Sequence, residues 1–143
     1  MLKNKFTLTT QSRSFNESFV RATVAAFVLQ LDPTIEEISD IKTAVSEAVT
    51  NCIVHAYKEK LGNIYISAEI YDNNILKIKI RDKGCGIENI SKAMEPLFTT
   101  AAGERAGLGF AVMESFTDRI RVASRVDKGT TVTLEKKIRG KLV

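Results

Sequence analysis

Residues 63–86 read NIYISAEIYDNNILKIKIRDKGCG, and their periodicity decides the kind of fold. Ile64, Ile66, Ala68 and Ile70 share one face at period two, and Asp72-Asn73-Asn74 turns the chain. Leu76, Ile78 and Ile80 then return with Lys77, Lys79 and Arg81 between them. An apolar side alternating with a charged one predicts an antiparallel hairpin, packed on a core through one face and wet on the other. Asp82-Lys83-Gly84-Cys85-Gly86 follows directly and has the form Asp-x-Gly-x-Gly. Asp and Gly are common in any strand-end turn. The same residues would also bring backbone close to a flat ligand while Asp82 accepts a hydrogen bond from an exocyclic amine. The pentapeptide alone leaves both readings open.

Upstream of the hairpin the period is helical. Thr34 and Glu37 have capping-box spacing ahead of Ile38, Ile41, Val45, Val49 and Cys52, which predicts a helix to about residue 57. Asp32-Pro33 separates it from an earlier helix over about 14–31, with Ser14 and Glu17 as a second capping box. Phe6 and Leu8 mark a short first strand over 5–9. Residues 84–109 lose periodicity and hold five of the eight glycines, and a stretch of that length is usually functional or disordered. A helix resumes over 108–116, Ile120 and Val122 mark a strand, and Val132 and Leu134 belong to a last one after a turn at 126–129. Helices and strands do not alternate as βαβ units. The expected fold is an α/β two-layer sandwich, a mixed, mainly antiparallel sheet with helices on one face.

The 143 residues fit a single domain, 1–143, with an ordinary globular balance of 44% hydrophobic and 27% charged residues. The longest apolar run, residues 24–29, is far short of the roughly 20 needed to span a bilayer, and residues 1–5 lead into no signal-peptide core, so the expected location is cytoplasmic, with no membrane partner. Cys52, Cys85 and one histidine give neither a disulfide framework nor a zinc spacing. The net charge of +4 comes from basic residues spread over strands and termini without interleaved aromatics, so direct nucleic-acid binding is not expected.

On the second predicted helix, Glu47, Asn51 and His55 are four apart and share one row, nearly opposite the apolar stripe. A solvated helix face explains such a row. So does a cation that holds phosphates, because Mg²⁺ takes hard oxygen ligands and Asn offers one without adding charge. Gly107-Leu108-Gly109-Phe110 opens a helix, where it is either a flexible hinge or a place for free N–H groups and the positive dipole end to meet phosphate.

Taken in order, Glu-x-x-x-Asn on a helix, Asp-x-Gly-x-Gly after a strand, a segment of about twenty residues, Gly-x-Gly before a helix and Gly129-Thr130-Thr131 before a last strand resemble the nucleotide-binding domain of the GHKL superfamily, with its Bergerat ATP-binding fold. The stretches FVRATVAAFVLQLDPT, IKTAVSEAVTN and EPLFTT further resemble the anti-sigma F factors of spore-forming bacteria, over about residues 5–138. The resemblance implies a serine kinase using ATP/ADP and Mg²⁺, in which Asn51 holds the metal and Glu47 is the general base. It implies that Asp82 reads the adenine amine, with Gly84 and Gly86 beside the base and Thr130 near it. Thr99, Thr100 and Arg105 fall in the lid, and Gly107 and Gly109 bring backbone to the phosphates. Two departures from the family are Ala101-Ala102-Gly103 in place of a longer, more polar lid stretch, and Ala56 where glycine is common.

The resemblance further implies a homodimer that binds a sigma factor (sigma F) and phosphorylates an anti-anti-sigma factor, a STAS-type substrate protein. Arg21, on the polar side of the first helix, is the candidate for partner contact, arginine being enriched at interface hot spots, and an ordinary surface arginine is the plain alternative. Two further readings are a stress-response-type anti-sigma kinase and an ATP-gated sigma-binding module without kinase activity. Glu47 discriminates against the last, since pure binding needs no base.

Overall fold

A computed structural model describes residues 1–58, 60–94 and 105–140. Strands β1 (Leu2–Gln11), β2 (Asn63–Tyr71), β3 (Ile75–Asp82), β4 (Arg119–Arg125) and β5 (Gly129–Lys137) form one sheet in the order β1-β2-β3-β5-β4. All four pairings are antiparallel, so the expectation of a mixed sheet is corrected. The reason is the position of β5, which inserts between β3 and β4 and keeps those two codirectional strands from touching.

Helices α1 (Asn16–Val28) and α2 (Ile35–Asn51) join β1 to β2, while α3 (Ile90–Ala93) and α4 (Arg105–Ser115) lie between β3 and β4. The apolar row of each strand faces these helices: Ile64, Ile66, Ala68 and Ile70 of β2, Leu76, Ile78 and Ile80 of β3, and Val132 and Leu134 of β5 are buried with Val20, Val24 and Val28 of α1 and Val45 and Val49 of α2. On the open face, register aligns Lys5, Glu69, Lys77, Glu135 and Arg119 across the sheet. Opposite charges thus face each other from strand to strand, so part of the positive charge is matched within the sheet.

Several boundaries differ from expectation for identifiable reasons. β1 is ten residues long because backbone pairing to β2 runs from Leu2↔Tyr71 to Gln11↔Asn63, beyond the Phe6 and Leu8 alternation. The Thr34–Glu37 capping box forms, with Thr34 N–H donating to Glu37 Oε1 and Glu37 N–H to Thr34 Oγ1, both at 3.0 Å. The Ser14–Glu17 box does not. Phe15 is the N-cap without a side-chain cap bond, and the Glu17 carboxylate turns instead to Arg21 at 3.5 Å. After Asn51 the helix widens into a π-turn, Cys52–Ala56, closed by Tyr57 N–H to the Cys52 carbonyl at 3.1 Å. Such turns frequently mark functional sites.

Candidate functional site

The π-turn, the ends of β3 and β5, and the loop after β3 enclose a cavity of about 730 Å³. Asp82 lies in its wall, 5% exposed. Its Oδ1 accepts from Gly84 N–H at 2.9 Å and Thr130 N–H at 3.2 Å, and the Cys52 thiol lies near the carboxylate. Burial pushes the Asp82 carboxyl up, and the Gly84 and Thr130 N–H groups, with the neighbouring Cys52 thiol, pull against it. A carboxylate has about four acceptor positions, and with both backbone donors on Oδ1 the second oxygen is left for a ligand donor. Burial and the adjacent Asp82 charge push the Cys52 thiol far above its usual value, which keeps it protonated.

The loop itself is clamped by the protein. A Cβ at Gly84 would overlap the Ala56 carbonyl, and one at Gly86, which has φ +77°, would overlap the Arg125 carbonyl. Cys85 N–H donates to Ala56 O at 3.0 Å and Asp127 N–H to Cys85 O at 2.7 Å, so the loop is tied to both the π-turn and the β4–β5 turn. Glycine is required at both positions by this close backbone packing. Gly86 lines the cavity; Gly84 lies behind it and supplies its N–H to Asp82.

At the other end stand Asn51, Glu47 and Gly109. An ideal Cβ on Gly109 would lie 3.2 Å from Asn51 Oδ1 and 3.3 Å from Glu47 Oε2, so the two side chains converge on the bare face of α4. Asn51 Nδ2 is buried with no hydrogen-bond partner among the described residues. A buried amide left unsatisfied is costly, which is the expected state of a group whose partner is a ligand. The row read on the sequence as either solvated or phosphate-facing is thus turned inward. Among the described residues no group of three or more His, Cys, Asp or Glu is placed to cage a metal. Asn51 and Glu47 offer hard oxygens of the kind that suits Mg²⁺ shared with phosphates. They fit the group.

α4 starts at Arg105, three residues before the helix start expected from the periodicity. Gly107 therefore sits in its first turn, where N–H groups have no intrahelical partner, whereas Gly109, the fifth helical residue, contributes space rather than a donor. Thr99 and Thr100, with the Ala101-Ala102-Gly103 departure, lie outside the described residues. The His55 side chain borders the cavity, and its carbonyl accepts from the Cys85 thiol at 3.3 Å. Arg21 is remote from the cavity, half-buried on α1 beside Glu17. Sequence reasoning missed Cys52, read only as a core residue, and Phe110, buried against the cavity. It also missed Ser124, which the register of the β4–β5 hairpin sets opposite Thr130.

The model of the histidine kinase-like ATPase domain family matches residues 13–136. A protein of Caldanaerobacter subterraneus named anti-sigma F factor is 61% identical over 128 residues, covering 89% of each chain. One of the same name from Clostridium acetobutylicum is 55% identical over 138 residues, covering 96% of each. Among solved structures, the RsbU and RsbW domains of a Mycobacterium tuberculosis protein align with a TM-score of 0.71 at 20% identity, over 95% of this chain and 32% of that one. That likeness is one of fold.

Proposed function

Since the chain belongs to the anti-sigma F factor family of histidine kinase-like ATPase domains, we propose that it binds and inhibits a sporulation sigma factor of the sigma F type and, using ATP, phosphorylates a serine of its anti-anti-sigma antagonist. The observation that carries the catalytic half is the convergence of Glu47 and Asn51 on the bare face of Gly109. Holding a nucleotide requires Asp82 and Asn51; a carboxylate at the same point is what a transfer to a hydroxyl adds.

On this reading Asp82 accepts from the adenine amine, Thr130 stands beside it, and the N–H groups in the first turn of α4 face phosphate oxygens. Asn51 would hold Mg²⁺ together with phosphate oxygens of the nucleotide, and the ion would supply neutralisation of the charge that develops in the transfer. Glu47 takes the proton of the acceptor serine, and its conjugate acid loses that proton to water after release of the product. The rest of the work is positioning: the clamped Asp-x-Gly-x-Gly loop fixes the base, and α2 fixes Glu47 and Asn51 one turn apart.

The partners are proposed on α1, none of whose residues lines the cavity. Residues 15, 19, 22, 26 and 29 recur at spacings of four and three along α1 and its 3₁₀ extension, and all are exposed, with Phe15 at 83%, Phe19 at 47% and Leu29 at 62%. Such a seam suits helix packing against a second copy. Of the apolar residues near the N-terminus, Phe6 and Leu8 on β1 and Phe19, Val20 and Phe27 on α1, only Phe19 is exposed and belongs to this seam, while Val20 is fully buried and Phe6 packs edge-on against Phe27 with centroids 4.8 Å apart. Arg21 borders this seam, which favours it for the sigma factor contact. Among the described residues no helix is long and apolar enough to cross a membrane, and the cytoplasm is the proposed location.

The test is transfer of the ATP γ-phosphate to an anti-anti-sigma protein, with a sigma F pull-down on the same preparation. Serine phosphorylation together with sigma capture is expected. Capture that depends on ATP with no transfer would establish the ATP-gated binding module, and transfer only to a stress-response antagonist would establish that kinase instead.

A further inference from the structure

The Ser124 hydroxyl makes three polar contacts: it accepts from Ile87 N–H at 2.8 Å, approaches the Gly129 carbonyl at 3.0 Å and lies 2.7 Å from Thr130 Oγ1. A hydroxyl has one proton and two acceptor positions. The Gly129 carbonyl can only accept and the Ile87 N–H can only donate, so one arrangement satisfies all three contacts. Ser124 donates to Gly129 O, and Thr130 donates to Ser124. In the alternative, Ser124 donates to Thr130 and leaves its oxygen 3.0 Å from the Gly129 oxygen with no hydrogen between them. Two oxygens so placed repel.

We propose that Ser124 is a positioning residue that sets the base specificity of the cavity: by taking the Thr130 proton it makes Thr130 a pure acceptor toward the ligand. Thr130 and Asp82 both line the cavity, and Thr130 N–H donates to Asp82 Oδ1, so the two belong to one wall. With Ser124 in place that wall offers side-chain acceptors only. An exocyclic amine is matched by it; a 6-oxo group meets oxygen against oxygen. This rests on the nucleotide-binding reading above and adds the residue behind the wall that fixes its polarity.

The probes are ADP and inosine diphosphate, which differ in the 6-substituent and the N1 proton, titrated by calorimetry into the full chain. The wild type should prefer ADP. Ser124→Ala frees the Thr130 hydroxyl to donate to a 6-oxo group, and the ADP:IDP affinity ratio should fall about tenfold, the scale of one hydrogen bond made or lost. Loosening of the Ile87 N–H would weaken both nucleotides equally, so the ratio separates specificity from loop anchoring. Ser124→Thr should restore the ratio, and in a Thr130→Val background Ser124→Ala should leave it unmoved.

A folded Ser124→Ala protein with a ratio within twofold of wild type overturns the inference alone. If that variant does not fold, Ser124→Cys, with its weaker acceptor, must lower the ratio, and an unchanged ratio overturns the inference equally. A wild type that binds neither nucleotide, or both equally, overturns the adenine reading and this inference with it.

Discussion

Replacing Gly109 with alanine should stabilise the fold and damage the site at once. Gly109 is the fifth of eleven residues in α4, inside the helix, where alanine is about 1 kcal/mol more favourable than glycine. At 143 residues that gain raises the unfolding midpoint by roughly 3 °C. The added methyl carbon, however, would stand 3.2 Å from Asn51 Oδ1, 3.3 Å from Glu47 Oε2 and 3.4 Å from Asn51 Nδ2. The first two are tighter than ordinary contacts, and the atoms met are polar side-chain ends, so they move by a few tenths of an ångström. A displacement of about 1 Å costs on the order of 100-fold in positioned catalysis, so a shift of this size should cost roughly three- to sixfold in transfer. Thermal unfolding without nucleotide reports the first effect, and Mg²⁺–ADP calorimetry with a transfer assay reports the second. A variant that is less stable yet binds and transfers as wild type would refute the placement of Gly109 against Asn51 and Glu47.

Asp82→Asn puts an amide where the ligand amine also donates, and nucleotide affinity measured by calorimetry should drop about 10- to 100-fold; unchanged affinity would remove Asp82 from base recognition. Glu37 accepts from Arg139 N–H at 2.7 Å and Gly140 N–H at 3.1 Å as well as from Thr34. Partial burial pushes its carboxyl up, but these hydrogen bonds outweigh it and hold it below its ordinary 4.5. A lowered native value stabilises above the unfolded one and is lost as pH falls through it, so Glu37→Gln should unfold earlier than wild type at pH 7, with the gap closing below about pH 4. A constant gap in a melting series would contradict that clasp. Phe19→Asp, in the exposed seam of α1, should give a monomer by sedimentation at micromolar concentration, and a dimer of unchanged strength would place the interface elsewhere.

The hairpin and the Thr34–Glu37 cap were legible because each rests on local chemistry, side-chain alternation in one and a side-chain to backbone bond in the other. The π-turn at Cys52–Ala56 was not, since one extra residue shows only as a shifted stripe beyond it, and the helix ends at Tyr57 before such a stripe can develop. Ser14–Glu17 has the right letters for a cap, but Glu17 finds Arg21 one turn on. At the site, Glu47, Asn51 and Gly109 are visible one by one, while their convergence depends on how α4 packs on α2. Cys52 and Ser124 stayed hidden for the same reason. One reaches Asp82 from a helix, and the other reaches Thr130 across a hairpin register that only the paired strands define.

The most direct test of the central claim is phosphate transfer by Glu47→Gln, measured beside nucleotide and sigma factor binding on one preparation. Glutamine keeps the shape and an oxygen but cannot take the serine proton, and general-base catalysis contributes about 10²- to 10⁴-fold. Transfer should fall by that factor with ADP affinity and sigma capture within a few-fold of wild type. Transfer near the wild-type rate would contradict the account, because the carboxylate beside Asn51 and Gly109 would then have no part in the chemistry.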